Sequence, residues 1–216
     1  MSESYHTPYG SPYWAPNTLP AFRGGGGTFE FVFAADGYID LPIWPLVSQD
    51  EYWSFEVEAH DLDATMYICS QASDNGFTLR VNSSDYVRGY QWGSGTGNTV
   101  KLVLNTMTRV AMDSDAGDVD ASNWWVGAST ASFTRGTTSR TGLRIGMKST
   151  GTNGFTGVIR NIIRADNEAD FDAGEGSWTN RWKMDEGNNT IIDDIGGQDA
   201  TLEPGSGVWR ARTAAI

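Results

Sequence analysis

The sequence predicts an all-β protein built as two antiparallel sheets packed face to face. Three observations carry that expectation. The 26 glycines accompany nine tryptophans, eight tyrosines and nine phenylalanines, a composition that suits many short strands joined by tight turns. Several segments alternate apolar and polar residues with a period of two. The cleanest sets Trp53, Phe55, Val57 and Ala59 against Glu56 and Glu58. No stretch keeps helical periodicity for more than about three turns. The chain has 216 residues, a length at which sandwiches are commonly single domains. At that size roughly 70% of the unfolded surface can be buried without staples.

Taken in order, residues 1–27 stand apart. Pro8, Pro12, Pro16 and Pro20 recur every four residues, interleaved with Tyr5, Tyr9, Tyr13 and Trp14. Proline lacks a backbone donor and fixes φ, so this stretch is no central strand. Disordered leaders are poor in aromatics, so we read it as an extended arm. Tyr5, Tyr9, Tyr13, Trp14 and Phe22 would be its contacts with a partner, and Gly24 to Gly27 its hinge. Residues 28–216 then form one sandwich domain, with a wrapping segment over about residues 166–216.

Strands are expected over residues 28–34, 38–41, 51–59 and 65–70. Asp74, Asn75 and Gly76 form a hairpin turn signal leading to Phe77, Leu79 and Val81. Residues 87–92, 99–104 and 108–112 continue the series, and 124–127 and Phe133 flank a loop. Residues 142–163 read as one β-hairpin, with a turn over 149–154 and a bulge near Arg160. Turn spacing puts the total at roughly eleven to thirteen strands. After Ala165 the chain becomes acidic and turn-rich. Cys69 is the one cysteine; no intramolecular disulfide forms, and its apolar run makes it a small core residue. No signal-like start and no membrane-length apolar run are present, so a soluble chain is expected, with export unconventional or through assembly.

Several segments, in order, resemble the laminin-G-like branch of the concanavalin A-like lectin and glucanase superfamily. They are DGYIDLP (36–42), YWSFEVEAH (52–60), NGFTLRV (75–81), TRVAMD (108–113), LRIG (143–146) and FTGVIRNI (155–162). The segment WKMDEGNNTIIDDIGGQDATLEPGSGVW (182–209) is similar to a tail found beside such domains, often in phage structural proteins. The resemblance implies a two-sheet jelly roll of the concanavalin A-like kind, with that tail wrapping its edge.

The net charge of -12 argues against direct nucleic-acid binding. Glucanases of the superfamily place two or three acids on one strand. Here Glu56 and Glu58 lack the third carboxylate and read as the solvated face of a strand. No nucleophile motif surrounds a serine or the cysteine, so catalysis is not expected. Asp113, Asp115, Asp118 and Asp120 form a carboxylate group suited to calcium, without the distal glutamate of an EF-hand; calcium is the only cofactor indicated. Tyr90, Trp92, Trp124 and Trp125 are candidates for stacking on a glycan, against the alternatives of core and subunit interface.

The leading functional expectation is a non-enzymatic virion structural protein, a phage head-decoration or fibre-type component assembled in the host cytoplasm. It would contact other virion proteins through its arm and associate with itself. The alternative is a carbohydrate-binding adhesion module, a lectin.

Overall fold

The computed structural model describes residues 29–42, 51–71, 77–91, 94–95, 101–113, 118–122, 128–130 and 142–212. Sixteen strands fall within them, every pair antiparallel. They are β1 (Phe29–Phe33), β2 (Tyr38–Leu41), β3 (Tyr52–Ala59), β4 (Met66–Gln71), β5 (Thr78–Val81), β6 (Val87–Gln91), β7 (Ser94–Gly95), β8 (Thr108–Asp113), β9 (Asp118–Ser122), β10 (Ala128–Thr130), β11 (Leu143–Ile145), β12 (Gly157–Ala165), β13 (Asn180–Trp182), β14 (Thr190–Ile191), β15 (Ala200–Glu203) and β16 (Val208–Ala211). A six-residue helix, α1 (Glu168–Ala173), and a 3-10 turn (Glu175–Ser177) separate β12 from β13. No helix among the described residues is long and apolar enough to cross a membrane.

The first sheet runs β10-β9-β8-β3-β12-β1-β16, with β13 also on β12; the second runs β14-β15-β2-β11-β4-β5-β6-β7. We call them sheets A and B. The apolar phase of each strand meets between them, as alternation requires. Phe31, Phe33, Ile39, Phe55, Phe77, Leu79, Ile145 and Ile159 are fully or almost fully buried there. Trp53 and Trp182 stack with centroids 6.3 Å apart and planes 6° from parallel. Each indole N–H is satisfied: Trp53 donates to Glu51 Oε2 at 3.0 Å and Trp182 to Gln198 O at 2.9 Å. Cys69 lies in this core with no exposure, and burial pushes its thiol well above its ordinary pKa, which leaves it unreactive.

Three local expectations need correction. Residues 142–163 are not one hairpin. β11 sits in sheet B between β2 and β4, and β12 sits in sheet A between β1 and β3. The chain turns tightly at Lys148–Gly151 and Phe155 N donates to Gly146 O at 2.6 Å; from there the two arms diverge into different layers. Gly157 opens β12 at φ 141, where a Cβ would lie 2.0 Å from Glu58 O, so the backbones of β12 and β3 meet too closely there for any side chain. The bulge does occur: the β12–β3 register shifts between Arg160 and Ile163, with Asn161 at φ 49. Next, residues 101–104 form no strand, only an isolated bridge between Lys101 and Tyr86; Val103 and Leu104 are exposed. Third, the strand count exceeds the expected range because the segment after Ala165 supplies four strands. These pair at the margins of both sheets, β16 on β1 and β15 on β2.

That closing segment is held by one carboxylate. Asp193 is buried and accepts from Asn180 Nδ2 at 2.6 Å and from the backbone N–H groups of Arg181, Gly196 and Gln198 at 2.9–3.0 Å. Burial alone would raise its pKa, but these donors outweigh it and hold the group below the usual carboxylate range.

Candidate functional site

The two sheets turn very different faces outward. On sheet B the strand registers line up a row across five strands. Thr201 stands across from Asp40, Asp40 from Arg144, Arg144 from Ser70, and Ser70 from Thr78. Directly paired residues share a face, with neighbouring strands about 4.8 Å apart, so the row is continuous. It exists because each strand places a polar residue in the phase opposite its core residues. Asp40 and Arg144 form a bidentate pair at 2.7 and 2.8 Å. The Arg144 guanidinium also lies 3.9 Å from the centroid of the Tyr38 ring. The hydrogen bonds that Arg144 donates to Asp40 hold it above its ordinary pKa, against the effect of burial.

Beside this row lies a second, containing Glu203 across from Tyr38 at one end and Tyr67, Arg80 and Arg88 at the other. Arg80 Nη1 donates to the Tyr67 hydroxyl at 3.3 Å. Thr201, Glu203 and Asp40 are exposed, Tyr38, Arg144, Arg80 and Arg88 half-buried, and Ser70, Thr78 and Tyr67 buried. Two hydroxyls on this face lack a hydrogen-bond partner among the described residues, Thr78 Oγ1 and Ser149 Oγ. Ser149 adjoins Arg144, whose Nη1 donates to the Ser149 carbonyl at 3.4 Å. Buried hydroxyls without partners are uncommon in folded proteins.

The outer face of sheet A is occupied by the protein itself. Its upper part is sealed by α1 and the turn after it, with Phe171 and Trp178 packed on Tyr52, Ala111, Ile163 and Ala165. Arg109 lies 4.1 Å from the Phe171 ring centroid, and Trp178 Nε1 donates to Phe171 O at 2.9 Å. Asn167 caps the helix by accepting from Asp170 N at 2.8 Å. Next to this lid is a charge network. Glu56 accepts from Arg160 Nε at 2.8 Å and Asn161 Nδ2 at 3.0 Å. Glu30 accepts from Arg210 Nε at 2.7 Å and Arg160 Nη1 at 3.4 Å. Glu58 meets His60 at 2.8 Å.

These contacts revise the reading of Glu56 and Glu58. They do share the outward phase of β3, but they are half-buried and engaged, because arginines from β12 and β16 stand over them in register. Of the glycan candidates, Tyr90 is positioned across from Thr78 and so extends the sheet B row; Trp92, Trp124 and Trp125 lie outside the described residues. So do the arm residues Tyr5, Tyr9, Tyr13, Trp14 and Phe22, and Asp115 of the calcium group. Asp113 is paired with Asp118, and Asp120 with Ala111, at the β8–β9 hairpin. Among the described residues no cluster of three or more His, Cys, Asp or Glu could hold a metal. Sequence reasoning did not single out Tyr38, Asp40, Arg144, Tyr67, Arg80, Arg88 or Ser149. Their signal was present only as the polar phase of YIDL, LRI and TLRV.

No protein-family profile matches the chain, and no curated protein does. Solved structures do. A candidate carbohydrate-binding protein from Bacteroides ovatus aligns at a TM-score of 0.63 and 17% identity, covering 88% of this chain and 61% of that one. The fold is an antiparallel two-sheet jelly-roll sandwich. The chain spans 61% of that protein's length. The heptameric SAP-like pentraxin of Limulus polyphemus aligns at 0.44 with 14% identity, over 64% of this chain and 75% of that one. The carbohydrate-binding module of the Ruminococcus gnavus IT-sialidase, solved with α2,3-sialyllactose, aligns at 0.44 with 14% identity, over 62% and 89%. These two add nothing to the fold assignment.

Proposed function

We propose that the chain is a non-enzymatic carbohydrate-binding module whose saccharide lies across the outward face of sheet B. One observation carries the reading: on a single face the Asp40–Arg144 pair and the Tyr38 ring are gathered beside exposed Thr201 and Glu203. A saccharide needs this combination, because its hydroxyls both donate and accept while its C–H faces stack on rings. The Asp40–Arg144 pair offers carboxylate oxygens and guanidinium N–H groups side by side, with the Tyr38 ring beneath. Glu56 and Glu58, which share the outward phase of β3, are engaged by arginines of their own sheet A, which favours binding over hydrolysis. The shared fold with the Bacteroides ovatus protein supports the same reading.

A glycan array with the intact protein and with Tyr38→Ala tests it. Binding that falls about tenfold on loss of the ring supports the proposal. Undiminished binding, or loss only on Trp124→Ala, moves the site elsewhere. Display on a virus particle through residues 1–27 is a separate reading that rests on the proline and aromatic pattern of that stretch. Deletion of those residues with unchanged particle assembly would remove it.

A further inference from the structure

We propose that the saccharide on this face is neutral, that neighbouring hydroxyls of it sit on Asp40 and Arg144, and that Glu203 excludes acidic sugars. The inference rests on the carbohydrate-binding reading above and narrows it to a ligand class and a specificity-determining residue. The residues concerned meet where β15, β2 and β11 lie side by side. The registers set Glu203 across from Tyr38, Thr201 across from Asp40, and Asp40 across from Arg144. Tyr38 and Asp40 are alternate residues of β2 and so share the outward phase.

Arg144 is fixed from several sides. Its Nε and Nη2 donate to the two Asp40 oxygens at 2.7 and 2.8 Å, and its Nη1 donates to Ser149 O at 3.4 Å. The Tyr38 ring centroid lies 3.9 Å from the guanidinium carbon. The pair is therefore held in one geometry before a ligand arrives, which lowers the cost of binding. Capacity remains on it. Each Asp40 oxygen keeps a second lone-pair direction, and each terminal guanidinium nitrogen keeps an N–H. Asp40 is the more open partner, its side chain 55% exposed against 21% for Arg144. Neighbouring sugar hydroxyls match this edge, since one can donate to the carboxylate while the next accepts from the guanidinium. Bonds to ionised groups are the stronger kind, and a hydroxyl makes them without adding a charge.

An acidic sugar meets a different balance. Asp40 and exposed Glu203 flank this end, and Arg144 is already committed to Asp40. Arg80, Arg88 and Lys148 lie toward β4, β5 and β6, each with partners of its own. An added carboxylate or sulfate would thus compete with Asp40 for one guanidinium while facing Glu203. The net charge of -12 adds repulsion at longer range.

The experiment titrates the full chain with matched saccharides, neutral or bearing one added carboxylate or sulfate, at low and high salt. The wild type should prefer the neutral member of each pair. Asp40→Asn should lower affinity for it about tenfold. Glu203→Gln should raise the ratio of acidic to neutral affinity about threefold at low salt, and by less at high salt. A merely structural role for Glu203 would weaken both members together and leave the ratio alone. A wild-type preference for the acidic member overturns the inference and leaves the binding module standing. So does an unchanged ratio in Glu203→Gln, or undiminished neutral binding in Asp40→Asn. Binding of neither class overturns both readings.

Discussion

The outer faces of sheets A and B are made from the same kind of strand, yet α1 and its turn pack over the first, while the second presents Thr201, Asp40 and Glu203 exposed at one end. On sheet A every described outward carboxylate of the network meets an arginine, and Phe171 and Trp178 cover the remainder. On sheet B two buried hydroxyls, Thr78 Oγ1 and Ser149 Oγ nearby, have no hydrogen-bond partner among the described residues. The difference teaches how to tell a structural polar face from a binding one. What separates them is cover and pairing: sheet A carries α1 and an arginine–glutamate network, although Arg212 Nε beside it also lacks a partner among the described residues.

The comparison can be broken by mutation, because face A should govern stability and face B affinity. Phe171→Ala has the largest expected effect. It empties the lid over Tyr52 and should cost about 3 kcal/mol in urea unfolding, with glycan binding retained by the folded fraction. Arg160→Ala follows. It strands buried Glu30 and half-buried Glu56 with one partner fewer, for a loss of about 2 kcal/mol; affinity should again be unchanged. Weakened binding in either variant would mean that the two faces are coupled.

Acid provides a third probe, aimed at the segment that closes both sheets. Asp193 is held below the ordinary carboxylate pKa by its donors, and Asp194 likewise by Arg181 and Lys183 although burial opposes this. A depressed folded-state pKa contributes stability above the unfolded value, about 3.9 for Asp. That contribution is lost as pH falls from there through the folded value. Melting temperature should therefore drop below about pH 4, and less so in Asp193→Asn, which starts lower. An equal acid slope in that variant would show that other groups set the limit. The smallest stability effect belongs to face B. Arg144→Ala should shift unfolding by no more than about 1 kcal/mol, since its pair with Asp40 is exposed, while lowering glycan affinity by about tenfold.

Much of the core was legible. Trp53, Phe55, Val57 and Ala59 are buried as their alternation requires, and so is Cys69. The bulge beside Arg160 was legible too, because apolar spacing changes there from two to three and four. The candidate site was visible only in fragments. Asp40 and Arg144 are 104 residues apart in the chain and carry no local mark of their partnership. The same holds for Glu56, whose partner Arg160 is equally distant.

Alone, the sequence determined that the molecule is a stack of short antiparallel strands, and which side of each strand faces inward. Both follow from the pleat, which repeats every two residues and is written locally. Only the tertiary structure decided which strands are neighbours. It split residues 142–163 between two sheets and carried the segment after Ala165 to the margins of both. It also lined Thr201, Asp40, Arg144, Ser70 and Thr78 into one row. Pairing depends on how the whole set of apolar faces can be buried at once, and no single stretch of chain contains that information.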